Sequence, residues 1–173
     1  MMSWIIYCVL IALTIYLIYN GAALKLFGIP SSLSMTYYLF KEKKSWMRVL
    51  FPAMMTLIVF LLLPAWLEIS VLSPWQFTAF FAISGILFTG AAPEFINNPL
   101  EKVVHTSSTI IASIFAIAWI LLVSKLWWII LIWLEVVLLI MLITKTTKSS
   151  YIYWLETIAF LSTFTSIITY YFI

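Results

Sequence analysis

Six stretches of apolar sequence, each close to the length of a membrane-crossing helix, follow one another with short polar turns between them. They fall at about 3–20, 47–68, 76–95, 100–123, 126–143 and 151–171. Crossing a hydrocarbon layer takes roughly 20 apolar residues per helix, so 173 residues accommodate six crossings and little else. Only 9% of the residues are charged, against about 25% in a soluble domain, too few to cover a water-facing surface. The expectation is an all-α polytopic integral membrane protein with six transmembrane helices in a single transmembrane domain, 1–173. Nine tryptophans within an aromatic content of 18% fit rings placed at the two membrane–water interfaces.

The same composition excludes several function classes. One cysteine, Cys8, gives no disulfide framework, and one histidine, His105, gives no multi-histidine metal site. No metal and no cofactor are expected. The net charge of +3 comes without a basic run long enough for nucleic acid, so the expected partners are membrane lipids, a second copy of the chain or another membrane protein. The first apolar stretch lacks a positively charged lead and a small-residue cleavage site, and reads as a retained helix.

The longest polar connection, 21–46, carries Lys25, Lys41, Lys43 and Lys44, with Gly28 and Pro30 as helix breakers. A serine at 31 or 32 can cap a short helix over SLSMTYYLF, placing Leu33, Tyr37 and Phe40 on one face; this segment reads as interfacial or shallowly re-entrant. Pro52 and Pro64 fall inside the second helix, and Asn98–Pro99 is a helix start. With six spans, Lys25, Lys41, Lys43, Lys44, Arg48, Lys102, Lys145 and Lys148 share one side and Lys125 lies opposite. The positive-inside rule then puts loop 21–46 in the cytoplasm and both termini on the non-cytoplasmic side. A plasma or inner membrane is the expected location.

Chemistry concentrates in 85–116, GILFTGAAPEFINNPLEKVVHTSSTIIASIFA, which holds Glu94, Glu101, Lys102 and His105 with two glycines and two prolines. Ionisable groups at membrane depth are costly, and they are functional candidates for that reason. Glu94 ends the third helix, His105 lies a turn inside the fourth, Glu156 five residues into the sixth, and Glu135 near the middle of the fifth. His105, Ser108, Thr109, Ala112, Ser113 and Ala116 share one helical stripe; Glu156, Ala159, Thr163, Ser166 and Tyr170 share another. The expectation is a hydrated cytoplasmic-side cavity bordered by Glu94, His105, Glu135 and Glu156, with Ser108 and Thr109 on its wall. The serines of 31–34, with Tyr37 and Tyr38, would form its lid. No nucleophile elbow, P-loop or HExxH pattern occurs, so no catalytic residue is assigned beyond the candidates His105 and Glu94.

PSSLS at 30–34, the glycine-bearing third helix, and His105 followed by small residues resemble the DRAM/Frag-type group of small six-helix membrane proteins. The resemblance implies a six-helix bundle and a link to lipid handling or membrane organisation. The leading expectation is a non-enzymatic membrane protein whose acidic, histidine-containing cavity binds a lipid headgroup or a small cation, or which serves as a component of a membrane complex. The alternatives are a small proton-coupled transporter or channel centred on Glu135, and a membrane-embedded lipid hydrolase using His105 with Glu94.

Overall fold

A computed structural model describes residues 4–144 and 150–173, and every regular element among them is helical. Helix α1 spans Trp4–Phe27, α2 Thr36–Lys43, α3 Leu50–Ser70, α4 Phe77–Ala91, α5 Pro99–Trp119, α6 Trp128–Thr144 and α7 Tyr151–Phe172. A 3-10 turn, Ser45–Val49, leads into α3, and a π turn, Ile120–Ser124, extends α5. Among the described residues, four segments are long and apolar enough to cross a membrane: Trp4–Phe27, Ser45–Ser70, Pro99–Ser124 and Tyr151–Phe172. Helices α4 and α6 are also apolar, but have 15 and 17 residues. The expected helix start at residue 3, and the turn bearing Lys145 and Lys148, lie outside the described residues.

Local chemistry explains where the boundaries moved. The expected end of the first helix at residue 20 falls seven residues early. Gly21 is tolerated inside α1, and the helix stops where Gly28 takes φ +73° and donates its N–H to Leu24 O at 3.0 Å. The third apolar stretch ends at Ala91 rather than 95, because Pro93 disfavours helical backbone at Ala92. Pro52 falls in the first turn of α3, where its missing N–H costs nothing, and Pro64 is truly internal. Asn98 caps α5 as expected, its side chain accepting from Leu100 and Glu101 N–H groups.

Helices α1, α3, α4, α5 and α7 pack in a ring, each against its neighbours, and α6 packs chiefly on α7. The tightest seam is α4 on α5. A Cβ added to Gly85 would lie 2.6 Å from Ala112 N and 2.7 Å from Ser108 O, so only glycine permits this approach. At one end of the bundle Trp119 stacks edge-on against Trp66 and donates Nε1–H to Ser70 Oγ at 2.8 Å. At that end too, Tyr171 donates to Glu68 Oε2 at 2.7 Å, tying α7 to α3. At the other end loop 28–35 lies over the start of α7, with Tyr153 N–H on Ser31 O at 3.2 Å.

Candidate functional site

Parts of the two polar stripes read from the sequence face one another across a narrow, open cleft, which His105, Ser108, Ser166 and Tyr170 do not line. Helix α5 supplies Thr109, Ala112, Ser113 and Ala116; α7 supplies Glu156, Ala159, Phe160 and Thr163. Met55 and Leu62 of α3, Ile86 and Thr89 of α4, and Leu33 of the loop complete the wall. The α3, α4 and loop residues are buried, whereas most of those from α5 and α7 are half-buried. The mouth therefore runs along the α5–α7 side, where alanine and serine leave room.

Glu156 sets the polarity of one end. Its Oε2 accepts the Leu33 N–H at 2.6 Å, and its Oε1 accepts the Ser34 hydroxyl at 3.4 Å. Loop 28–35 reaches this carboxylate because Gly28 turns the chain back over α7. Ser32 Oγ accepts the Met35 N–H in the turn that precedes α2, whose Tyr37 and Phe40 are buried with Leu33. Of the lid expected from the serines of 31–34 with Tyr37 and Tyr38, only Ser34 reaches Glu156, whereas Tyr37 bonds Glu94 and Tyr38 bonds Ile96. The Leu33 backbone donor went unread in the sequence, since any residue type can supply a backbone N–H.

His105 is not on the cleft wall. Its ring is 5% exposed and stacked on Phe95 at 4.3 Å between centroids. Nδ1 lies 3.1 Å from Thr89 O and 3.0 Å from Ala92 O. Both partners are carbonyls, so Nδ1 carries the ring proton and donates. The reason is in the sequence of α4. Thr89 O would ordinarily accept the N–H four residues on, but that residue is Pro93, which has none. His105 supplies the missing donor and closes the end of α4. Ser108 and Thr109 hydroxyls donate to His105 O at 3.0 and 2.8 Å and meet Thr89 Oγ1 at 3.0 and 3.1 Å. Thr89 is thus a hub that the sequence reading missed; its place four residues before a proline was the available signal.

Glu94 lies outside the cleft as well. Its Oε1 accepts from Lys41 Nζ at 2.7 Å and Tyr37 OH at 2.8 Å, a latch between α2 and the α4–α5 turn. The Lys41 hydrogen bond, then that of Tyr37, holds the Glu94 carboxyl below its ordinary range. Burial, reinforced by the Glu94 carboxylate, pushes the Tyr37 hydroxyl up to about 12, so it remains a donor. Tyr38 OH accepts the Ile96 N–H at 2.8 Å, and Glu101 Oε2 the Glu94 N–H at 2.8 Å. With Oε1 committed to α2 and the His105 ring to α4, the expected Glu94–His105 pairing does not form.

Glu135 is the largest departure. It is exposed on the side of α6 turned away from α7. Helix α6 is apolar around its whole circumference, so periodicity gave no sign of which face packs inward. Of the six residues grouped by the sequence reading, Glu156 and Thr109 line the cleft, His105 and Ser108 hold α4 to α5, Glu94 latches α2, and Glu135 faces outward. Among the described residues no three His, Cys, Asp or Glu side chains gather as a metal site. No family model, curated protein or solved structure matches this chain.

Proposed function

We propose that the chain is a six-span membrane protein that holds a single-chain amphiphile in the α5–α7 cleft, its hydrogen-bond-donating, preferably cationic, head at Glu156. The carrying observation is the cleft itself: an apolar slot with hydroxyls on its wall and a carboxylate at one end. Glu156 accepts from its own loop and offers acceptor lone pairs to a ligand, so an ammonium or hydroxyl head fits and a second anion does not. The narrow slot suits one alkyl chain, and a mouth on the α5–α7 side would admit it laterally from the bilayer.

The six-span topology draws support from what meets at each end. At one end loop 28–35 bonds the start of α7 and α2 bonds the α4–α5 turn; Glu68, Ser70, Trp119 and Tyr171 meet at the other. Alternating crossings require that arrangement. Lys25, Lys41 and Lys102 lie toward the first of these ends, which we read as the cytoplasmic side under the positive-inside rule. Neither alternative gains such support: Glu135 is remote from the cleft, and His105 is committed to backbone carbonyls.

Native mass spectrometry tests the reading, with the detergent-purified protein titrated by dodecylamine or by dodecanoate. The amine is expected to bind in preference, and Glu156→Gln to weaken it about tenfold, the worth of one charge-assisted hydrogen bond. Ala159→Phe, which fills the slot, is expected to abolish binding. Equal binding of amine and acid, or indifference to both substitutions, overturns the proposal.

A further inference from the structure

Glu135 stands at the centre of an apolar helix face that nothing among the described residues covers. Leu131, Ile132, Leu138, Leu139 and Leu142 surround it along α6 and are 53, 48, 50, 53 and 75% exposed. The opposite face, with Ile129 and Val137 buried and Trp133 donating Nε1–H to Thr165 Oγ1 at 2.9 Å, packs on α7. Glu135 is seven residues from Trp128 and nine from Thr144, so each end of the helix is roughly 10 Å or more away along the axis. A glutamate side chain is too short to bring its carboxylate to either interface. Among the described residues it has no hydrogen-bond partner and no cation. An unpaired acid at that depth costs about 2.5–3.5 kcal/mol on insertion scales, and no lipid-facing role requires one.

A second copy of this chain offers no cation there. Lys25, Lys41, Lys43, Lys44, Arg48, Lys102 and Lys125 all lie at helix ends or in connections, and Lys145 and Lys148, outside the described residues, are ten or more positions from Glu135 in the sequence. A copy sharing the same membrane orientation keeps each of these at its own depth. A cationic partner for Glu135 at that depth would therefore come from a different chain.

We infer that the exposed face of α6 docks a transmembrane helix of another membrane protein, one carrying a lysine or arginine near mid-bilayer that pairs with Glu135. Leucine and isoleucine around the acid supply packing area, and the buried ion pair fixes partner and register, as a lone polar group does within an apolar helical seam. The inference rests on α6 crossing the bilayer, and is otherwise independent of what the cleft binds.

The test uses the full chain in phosphatidylcholine vesicles with synthetic polyleucine peptides of about 20 residues, associated partners being read by energy transfer. A peptide with one central lysine is expected to associate about tenfold more tightly than an all-leucine peptide, the worth of one interhelical polar contact. Glu135→Leu, which changes an outward-facing side chain and leaves the fold intact, is expected to erase that preference. Equal association of the two peptides, or a preference that survives Glu135→Leu, overturns the inference. Self-association of the chain that Glu135→Leu abolishes makes the occupant a second copy and also overturns it. A cysteine placed at 135 that reacts with an impermeant maleimide shows instead that α6 does not cross the bilayer, which removes the six-span reading itself.

Discussion

Replacing His105 by phenylalanine keeps a ring against Phe95 and deletes the Nδ1 donor. Two carbonyls then lose it, Thr89 O at 3.1 Å and Ala92 O at 3.0 Å. A buried acceptor left without a donor costs about 1–3 kcal/mol. Bilayer measurements of single interhelical hydrogen bonds average about 0.6 kcal/mol, so roughly 2 kcal/mol is expected for the pair. The decisive version adds Pro93→Ala. An alanine at 93 regains an N–H that can reach Thr89 O in the helical i→i−4 sense, so one of the two carbonyls no longer depends on His105. The cost of His105→Phe should therefore fall by about half in the Pro93→Ala background, a coupling near 1 kcal/mol in a double-mutant cycle. Unfolding by sodium dodecyl sulfate in mixed micelles, followed by far-UV circular dichroism, measures all four proteins. An equal cost in both backgrounds refutes the assignment of His105 as a replacement donor for the proline-terminated helix.

Two further outcomes follow from the packing and the latch. Gly85→Ala should cost about 1–3 kcal/mol in the same assay, the usual toll of overpacking, because its Cβ meets α5 backbone at 2.6–2.8 Å; Gly21→Ala, with nothing within 4 Å, should be neutral or stabilising, and similar effects from the two would refute the seam. The Glu94 latch should show a defined pH window in hydrogen-exchange protection of residues 36–43. Its carboxyl is lowered in the fold, so its contribution is complete above the ordinary carboxylate range and is lost as pH falls through the lowered folded value. Protection should hold from pH 7 to about 5 and fall in strong acid, and Glu94→Gln should remove that step; a loss beginning near neutrality contradicts the latch.

The sequence by itself determined that the chain is helical and apolar, roughly where each helix lies, and which faces of α5 and α7 are polar. Composition and the 3.6-residue period carry that information locally, and Thr109, Ala112, Ser113 and Ala116 of α5 came to face Glu156, Ala159 and Thr163 of α7. It also held the clue to His105, since a threonine carbonyl four residues before Pro93 must find a donor elsewhere; which side chain answers depends on where α5 crosses α4, and Gly85 decides that crossing. The tertiary structure alone decided that Glu94 turns to Lys41 and Tyr37, that a backbone N–H from residue 33 reaches Glu156, and that Glu135 looks outward. The physical reason is the same in each case. Depth along a helix is written in the sequence as distance from its ends, but direction around the helix is legible only where polar and apolar residues alternate. On α6, apolar on every side, the direction is set by its packing on α7, and that contact has no local signature.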